Sequence, residues 1–181
     1  MNELSDFLGR LIRYAFYAMI IYAIFFVGVV YYFLKPQYDK LQVFFEENRQ
    51  QLDQRDLICL ADNIYYESVT ESIKGKIAVA TVTMNRTQSS KYPNNICDVV
   101  YQQNDRGCQF SWVCQNKISE RRFNDPSWLE VKLLANQILN GSVKTLPELE
   151  NALYYHADYV NPFWNRHKER ITKIDTHIFY E

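Results

Sequence analysis

Two glutamates four positions apart, Glu67 and Glu71, are the side chains of this chain best spaced for acid–base work. Just upstream, Leu57, Leu60, Ala61 and Ile64 recur at three- and four-residue intervals, so DLICLADNIYYESV reads as an amphipathic helix with Asp56 as its N-cap. Leu60, Asn63 and Glu67 share one stripe of that helix, which puts Glu67 at the border of the core-facing surface. A carboxyl so placed is partly desolvated, and loss of water favours its neutral form. If the helix runs one turn further Glu71 adds a like charge, but that repulsion is worth only about 0.2–0.5 kcal/mol. Desolvation must therefore supply most of any upward pKa shift. A carboxylic acid still protonated near neutral pH is what general-acid catalysis requires.

The other reactive side chains lead less far. His156, His167 and His177, with a carboxylate such as Asp158, would be the ligand set of a metal-dependent amidase, but the HxD fragment is too short to be specific and no HExxH occurs. Cys59, Cys97, Cys108 and Cys114 contain no CxxC pair, so neither a zinc site nor any other metal or cofactor is expected. Their even number is compatible with two disulfides in an oxidising compartment, with three possible pairings; four reduced core cysteines are the alternative. With 20 Lys and Arg against 21 Asp and Glu, and no long basic block, nucleic acid is excluded as a first partner. A composition 48% hydrophobic and 15% aromatic argues against a disordered or low-complexity chain.

The elements that must position these groups begin with an apolar run. Residues 14–34 contain no Asp, Glu, Lys or Arg, and at a rise of about 1.5 Å per residue they are long enough to span a bilayer. Tyr14, Tyr17, Tyr31 and Tyr32 suit the two headgroup zones, and Arg13 and Lys35 can snorkel outward. The run ends in bulky residues before Lys35 and Pro36 rather than in an A-x-A site, so it reads as an uncleaved anchor following a short segment, residues 1–13. The flanking charges, Arg10 and Arg13 before it and Lys35 and Lys40 after it, are too evenly matched to set its orientation. Residues 35–54 form a helical stalk with Leu41, Phe44 and Phe45 at helical spacing, and residues 55–181 form one domain.

In that domain five Gly and five Pro are shared by the whole chain, too few for the turns of a sandwich or barrel, so the fold class is mainly α. A second helix over residues 74–87 carries apolar residues round most of its circumference and should be central. A turn-rich loop follows, and residues 102–117 could close a short β-hairpin. Asp125 and Pro126 open another helix with Trp128, Val131, Leu134, Ala135 and Ile138 inward, ending near Asn140 and Gly141. After Pro147 the aromatic residues are too many to bury cheaply and are expected to line a groove.

Five blocks now stand in order: CLADNIYYESVTESIKGKIAVATVTMNRT, YPNNICDVVYQ, CQFSWVCQ, LYYHADYVNPFW and KIDTHIFYE. In order and spacing they resemble cell-wall hydrolases of the spore-cortex-lytic type, from about residue 57 to the end, with stalk and anchor outside. The resemblance implies a lysozyme-like helical domain with a small β-hairpin region. It also implies cleavage of peptidoglycan glycan strands between N-acetylmuramic acid and N-acetylglucosamine, with Glu67, in NIYYE, as the catalytic acid. Glu71 falls on the second glutamate of the family's E-x-x-x-E spacing and supports the first by orienting a loop or capping the next helix. Gln109, Ser111, Trp112, Tyr155 and His156 are implied as substrate-binding residues, Trp112 either stacking on a sugar or filling the core. Asn85 and Arg86 match a buried, hydrogen-bonding N-R pair, and His177 the closing H-I-F-Y. The chain departs from the pattern at Val69 and Thr70, where Arg-Gly is usual, and at Asp175, where Gly is common.

Glycoside cleavage needs a proton on the departing oxygen while positive charge develops on the sugar ring, which suits Glu67. No second catalytic carboxylate stands out, which favours a lytic transglycosylase using one glutamate twice; a hydrolytic muramidase of the same fold is the alternative. A glycan substrate outside the cytoplasm would place the chain in the cytoplasmic membrane as a single-pass protein, N-terminus inside and catalytic domain outside. Either a phage lysis enzyme or a cellular wall-remodelling enzyme fits. The rival readings are the metal-dependent amidase and a catalytically inactive, membrane-tethered glycan binder.

Overall fold

The structure, a computed structural model, describes residues 2–105, 107–115 and 124–181. Met1, and Arg106, Asn116 and Lys117 of the predicted hairpin stretch, lie outside the described residues. The chain divides into two compact units, Met1–Gln51 and Leu52–Glu181.

Helix α1 spans Asn2–Ser68, with Pro36 inside it. Sequence reasoning breaks this stretch at Pro36 and again at Asp56, and neither break occurs. A proline removes only one backbone donor, and residues 37–55 are rich in Gln, Glu, Leu, Lys and Arg, which favour helix. In the first unit the apolar side chains of residues 14–34 are exposed or nearly so. The stretch Phe7–Ser68 is long and apolar enough to cross a membrane.

The second unit begins with the last turns of α1. Leu57, Leu60, Ala61 and Ile64 enter one core cluster together with Ile96, Phe110, Trp112 and the inward face of α5, Pro126–Leu139. Helix α2, Ile73–Gln88, lies between two clusters: Ala80 faces the first, while Ala78 and Val82 pack with Leu149, Ala152, Ile174 and Phe179 in the second. Its small side chains allow close approach on both sides, which makes it the central helix expected. Asp56 is not the N-cap expected, because α1 runs through it, and the N-cap of α3, Ile96–Val100, is Asn95. The Asp56 carboxylate accepts from the backbone N–H of Cys97 near the start of α3, and burial pushes its pKa up against that bond. Disulfides join Cys59 to Cys97 and Cys108 to Cys114.

The predicted hairpin is small: β1, Gln103–Asn104, pairs antiparallel with β2, Gly107–Cys108, and is followed by α4, Ser111–Cys114. A larger β element lies in the C-terminal segment. Strands β3, Tyr154–Ala157, β4, Arg170–Ile174, and β5, His177–Tyr180, form an antiparallel sheet in the order β3-β5-β4. Many of the aromatic residues expected to line a groove are strand residues of this sheet. Ile174 pairs with His177, so Asp175 and Thr176 are a two-residue turn.

Candidate active site

Glu67 stands in the last turn of α1, one turn beyond the fully buried Asn63. Burial of its carboxyl raises its pKa above the ordinary glutamate range, and two opposing influences limit the rise. The Tyr155 hydroxyl donates to Oε2 at 3.1 Å, and the positive charge of Arg86 favours the carboxylate. Oε2 thus has a fixed hydrogen-bond donor in Tyr155.

Tyr155 comes from β3, and burial drives its own pKa well up, with the Glu67 charge adding to the effect. Its ring meets His177 edge-on at 5.2 Å and Phe179 at 5.6 Å, so the sheet fixes where its hydroxyl lies. His177 is itself buried, and loss of water lowers its pKa against the attraction of Glu71, Asp175 and Asp158. It backs Tyr155 as a neutral ring.

Arg86 is 3% exposed, and a guanidinium so buried must be compensated. Its Nε donates to the Leu153 carbonyl at 2.9 Å, and the group lies 5.2 Å from the ring centroids of both Tyr92 and Phe110. The Gln109 amide is oriented with its oxygen toward Arg86, since that orientation alone gives both terminal guanidinium nitrogens an acceptor, at 3.2 Å each. The neighbouring Asn85 amide donates to the carbonyls of Leu149 and Ala152 at 2.7 and 3.0 Å. The N-R pair thus ties the end of α2 to the approach to β3 through buried hydrogen bonds, as its pattern implies.

The side-chain bonds of Glu71 go to the β4–β5 turn and not to Glu67 or Tyr155 among the described residues. Glu71 Oε1 accepts from the Thr176 hydroxyl at 2.6 Å and its Oε2 from the Thr176 N–H at 3.3 Å. Beside it, Asp175 Oδ2 accepts from the Ser72 N–H at 2.9 Å and from the Ser72 hydroxyl at 2.6 Å, and the Ser72 oxygen caps α2 by accepting from Gly75. Asp175 has φ +50°, the left-handed region where glycine is commonest, so the turn keeps a glycine-type backbone while its carboxylate gains a partner.

The remaining expected site residues divide. Gln109 is half-buried beside Arg86, and Ser111 is exposed at the start of α4. Trp112 fills the core: it is 3% exposed and stacks on Tyr66 at 4.6 Å. His156, expected against substrate, turns to the opposite face of the sheet from Tyr155 and stacks on Tyr180, with Nε2 2.9 Å from the Tyr180 hydroxyl and Nδ1 2.9 Å from the Ala157 carbonyl. Strand alternation also sets His156 and His177 on opposite faces, since His156 pairs with Ile178 and His177 with Ala157. The histidine set of the amidase reading is thereby divided. Sequence reasoning gave Tyr92 no role although it opens the YPNNICDVVYQ block; its half-buried hydroxyl is pushed up to about 12 by burial and is bonded to Tyr154.

Residues 70–180 match the Cell Wall Hydrolase family. The spore cortex-lytic enzyme of Oceanobacillus iheyensis is 28% identical over 131 residues, 72% of this chain and 43% of that protein. The spore cortex-lytic enzyme of Bacillus cereus is 28% identical over 127 residues, 70% of this chain and 44% of that protein. The chain thus spans less than half the length of these relatives. Any continuous stretch covering 72% of a chain of 181 residues includes residue 67. Among solved structures, the catalytic domain of the germination-specific lytic transglycosylase SleB of Bacillus anthracis aligns with TM-score 0.55 and 29% identity, over 71% of this chain and 95% of that one. The catalytic domain of Bacillus cereus SleB aligns with TM-score 0.52 and 28% identity, over 71% and 91%.

Proposed function

We propose that this chain, which belongs to the cell wall hydrolase family, is a membrane-anchored lytic transglycosylase that cuts peptidoglycan between N-acetylmuramic acid and N-acetylglucosamine. The observation that carries the reading is the Glu67 carboxyl, raised in pKa by burial and held at one oxygen by Tyr155. The names of the solved relatives, one of them a lytic transglycosylase, support the choice of reaction.

Glu67 gives its proton to the glycosidic oxygen as the C1–O bond breaks, and positive charge spreads over C1 and the ring oxygen of the muramyl residue. The carboxylate left behind stabilises that charge and is itself stabilised by the Tyr155 hydroxyl and by Arg86. It then takes the proton of the muramyl 6-hydroxyl while that oxygen bonds to C1, closing a 1,6-anhydro ring. The acid ends the cycle protonated, and no water is consumed. Gln109 and Ser111 hold the sugar, and Glu71 keeps the β4–β5 turn in place.

In this reading residues 14–34 anchor the chain in the cytoplasmic membrane after the short segment 1–13. Residues 35–54 are the stalk, and residues 55–181 the catalytic domain outside. The exposed apolar surface of the first unit supports the anchor, and the two disulfides suit an oxidising exterior.

The test is digestion of purified sacculi by the full-length protein in detergent, with products identified by mass. Anhydro-muramyl ends are expected, and Glu67→Gln should abolish their release while leaving the circular dichroism spectrum unchanged. Reducing ends would redirect the mechanism to hydrolysis. Undiminished release by the Gln variant would overturn the role of Glu67.

A further inference from the structure

We propose that Arg86 fixes the polarity of the Gln109 amide, so that Gln109 acts as a hydrogen-bond donor reading the acetamido carbonyl of the sugar held beside Glu67. Arg86 is in this sense a positioning residue for substrate selection. The inference rests on the glycan-cleaving reading above and adds to it which chemical form of the glycan is accepted.

A glutamine amide is ambivalent, with an acceptor oxygen on one side and two N–H donors on the other. Here the ambiguity is removed. The amide end assigned as oxygen lies 3.2 Å from both terminal nitrogens of Arg86, and a guanidinium has no acceptor with which to satisfy the reversed amide. The guanidinium cannot swing away either, because Nε is bonded to the Leu153 carbonyl and the rings of Tyr92 and Phe110 pack against it. The amide nitrogen is therefore turned away from Arg86. Gln109 follows Cys108, which is joined to Cys114, so the loop bearing it is closed by a covalent ring of short sequence separation, 6 residues.

The complementary substrate group is an acceptor oxygen. On a glycan of alternating 2-acetamido sugars the carbonyl of that group is the strongest neutral acceptor. An N-deacetylated sugar offers an ammonium in its place, which is only a donor and is repelled by the buried Arg86 charge. The site should therefore favour N-acetylated over N-deacetylated strands.

The experiment compares initial rates of muropeptide release by the full-length protein in detergent from sacculi and from the same sacculi after chemical N-deacetylation. The parent should prefer acetylated strands by about tenfold, the scale of one well-made hydrogen bond. Gln109→Glu keeps a partner for Arg86 but presents only acceptors, so its preference should vanish or invert. Gln109→Leu, which has no donor, should lose the preference without inverting it, and serves if the Glu variant does not fold. Arg86→Lys keeps the charge but not the fork; it should lower the melting temperature through loss of the Leu153 bond and the ring contacts, and in the protein that stays folded its ratio should fall toward one. A parent that does not discriminate, or a Gln109→Glu variant that keeps the parent ratio, overturns the inference. Failure of the underlying reading is seen separately, as undiminished cleavage of acetylated strands by Glu67→Gln.

Discussion

Replacing Gly75 by alanine sets two effects of known size against each other. Gly75 lies in the first turn of α2, where alanine is favoured by up to about 1 kcal/mol through helix propensity and reduced freedom of the unfolded chain. Against that, a Cβ at this position would lie 2.3 Å from Asp175 Oδ2 and 2.9 Å from Glu71 Cβ. Neither contact is tolerable, so the Asp175 carboxylate and the Glu71 side chain that hold the β4–β5 turn have to shift. That shift gives up the two bonds from Ser72 to Asp175 and strains the two from Thr176 to Glu71. These bonds are solvent-facing, so each counts at the low end, about 0.5 kcal/mol, for a total of about 2 kcal/mol. The clash wins, and a net loss of about 1–2 kcal/mol should lower the melting temperature by about 3–8 °C. Near-ultraviolet circular dichroism of the full-length protein reads this through the buried aromatic residues. Asp175→Gly removes the nearer obstacle, so Gly75→Ala should cost less by about 1 kcal/mol in that background. A melting temperature equal to or above the parent's for the single Gly75→Ala variant would refute this account of the turn.

Two further outcomes test the site and its frame. Tyr155→Phe removes the hydroxyl that favours the Glu67 carboxylate while keeping the ring against His177 and Phe179. The acid then stays protonated to higher pH, so the alkaline limb of the kcat profile should move upward; an unmoved or lowered limb contradicts the assignment. The two disulfides should separate stability from substrate handling. The Cys59–Cys97 bond has a sequence separation of 38 and the Cys108–Cys114 bond one of 6, for which loop-closure entropy gives about 4 and about 2 kcal/mol. Double serine replacement of the first pair should therefore cost more in thermal unfolding. Replacement of the second should raise KM more than it lowers stability, and the reverse order would count against both roles.

What the sequence made legible was local. The Leu60, Asn63 and Glu67 stripe follows from helical period alone, and the inward face of α5 and its Asp125 cap follow from spacing and from Pro126. Less local features were missed or misread. Asp56 has the residue type of a cap, but its carboxylate bonds to Cys97 near the start of α3, 41 residues later, and nothing in one dimension reveals that choice. The C-terminal sheet was hidden by its own aromatic residues: ITKI and HIFY are strand-formers about a two-residue turn, yet the density of rings drew attention to a groove. Trp112 and His156 have the chemistry of sugar contacts, and only packing reveals that the indole stacks on Tyr66 and that the imidazole nitrogens meet the Tyr180 hydroxyl and the Ala157 carbonyl.

The departures from the family pattern are best understood together. Val69 and Thr70 stand where Arg-Gly is usual, and Asp175 where Gly is common, and these two stretches of chain are brought to one place by the Glu71 and Ser72 contacts with the β4–β5 turn. A non-glycine residue at φ +50° costs free energy that glycine would not, and Asp175 offsets it by bonding twice to Ser72, four residues after Ser68 closes the helix bearing Glu67. The turn in turn starts β5, whose His177 abuts the Tyr155 ring. Position 175 is thus linked to Glu67 through hydrogen bonds and packing without touching it, and its residue type answers to the α1–α2 junction as well as to its own backbone.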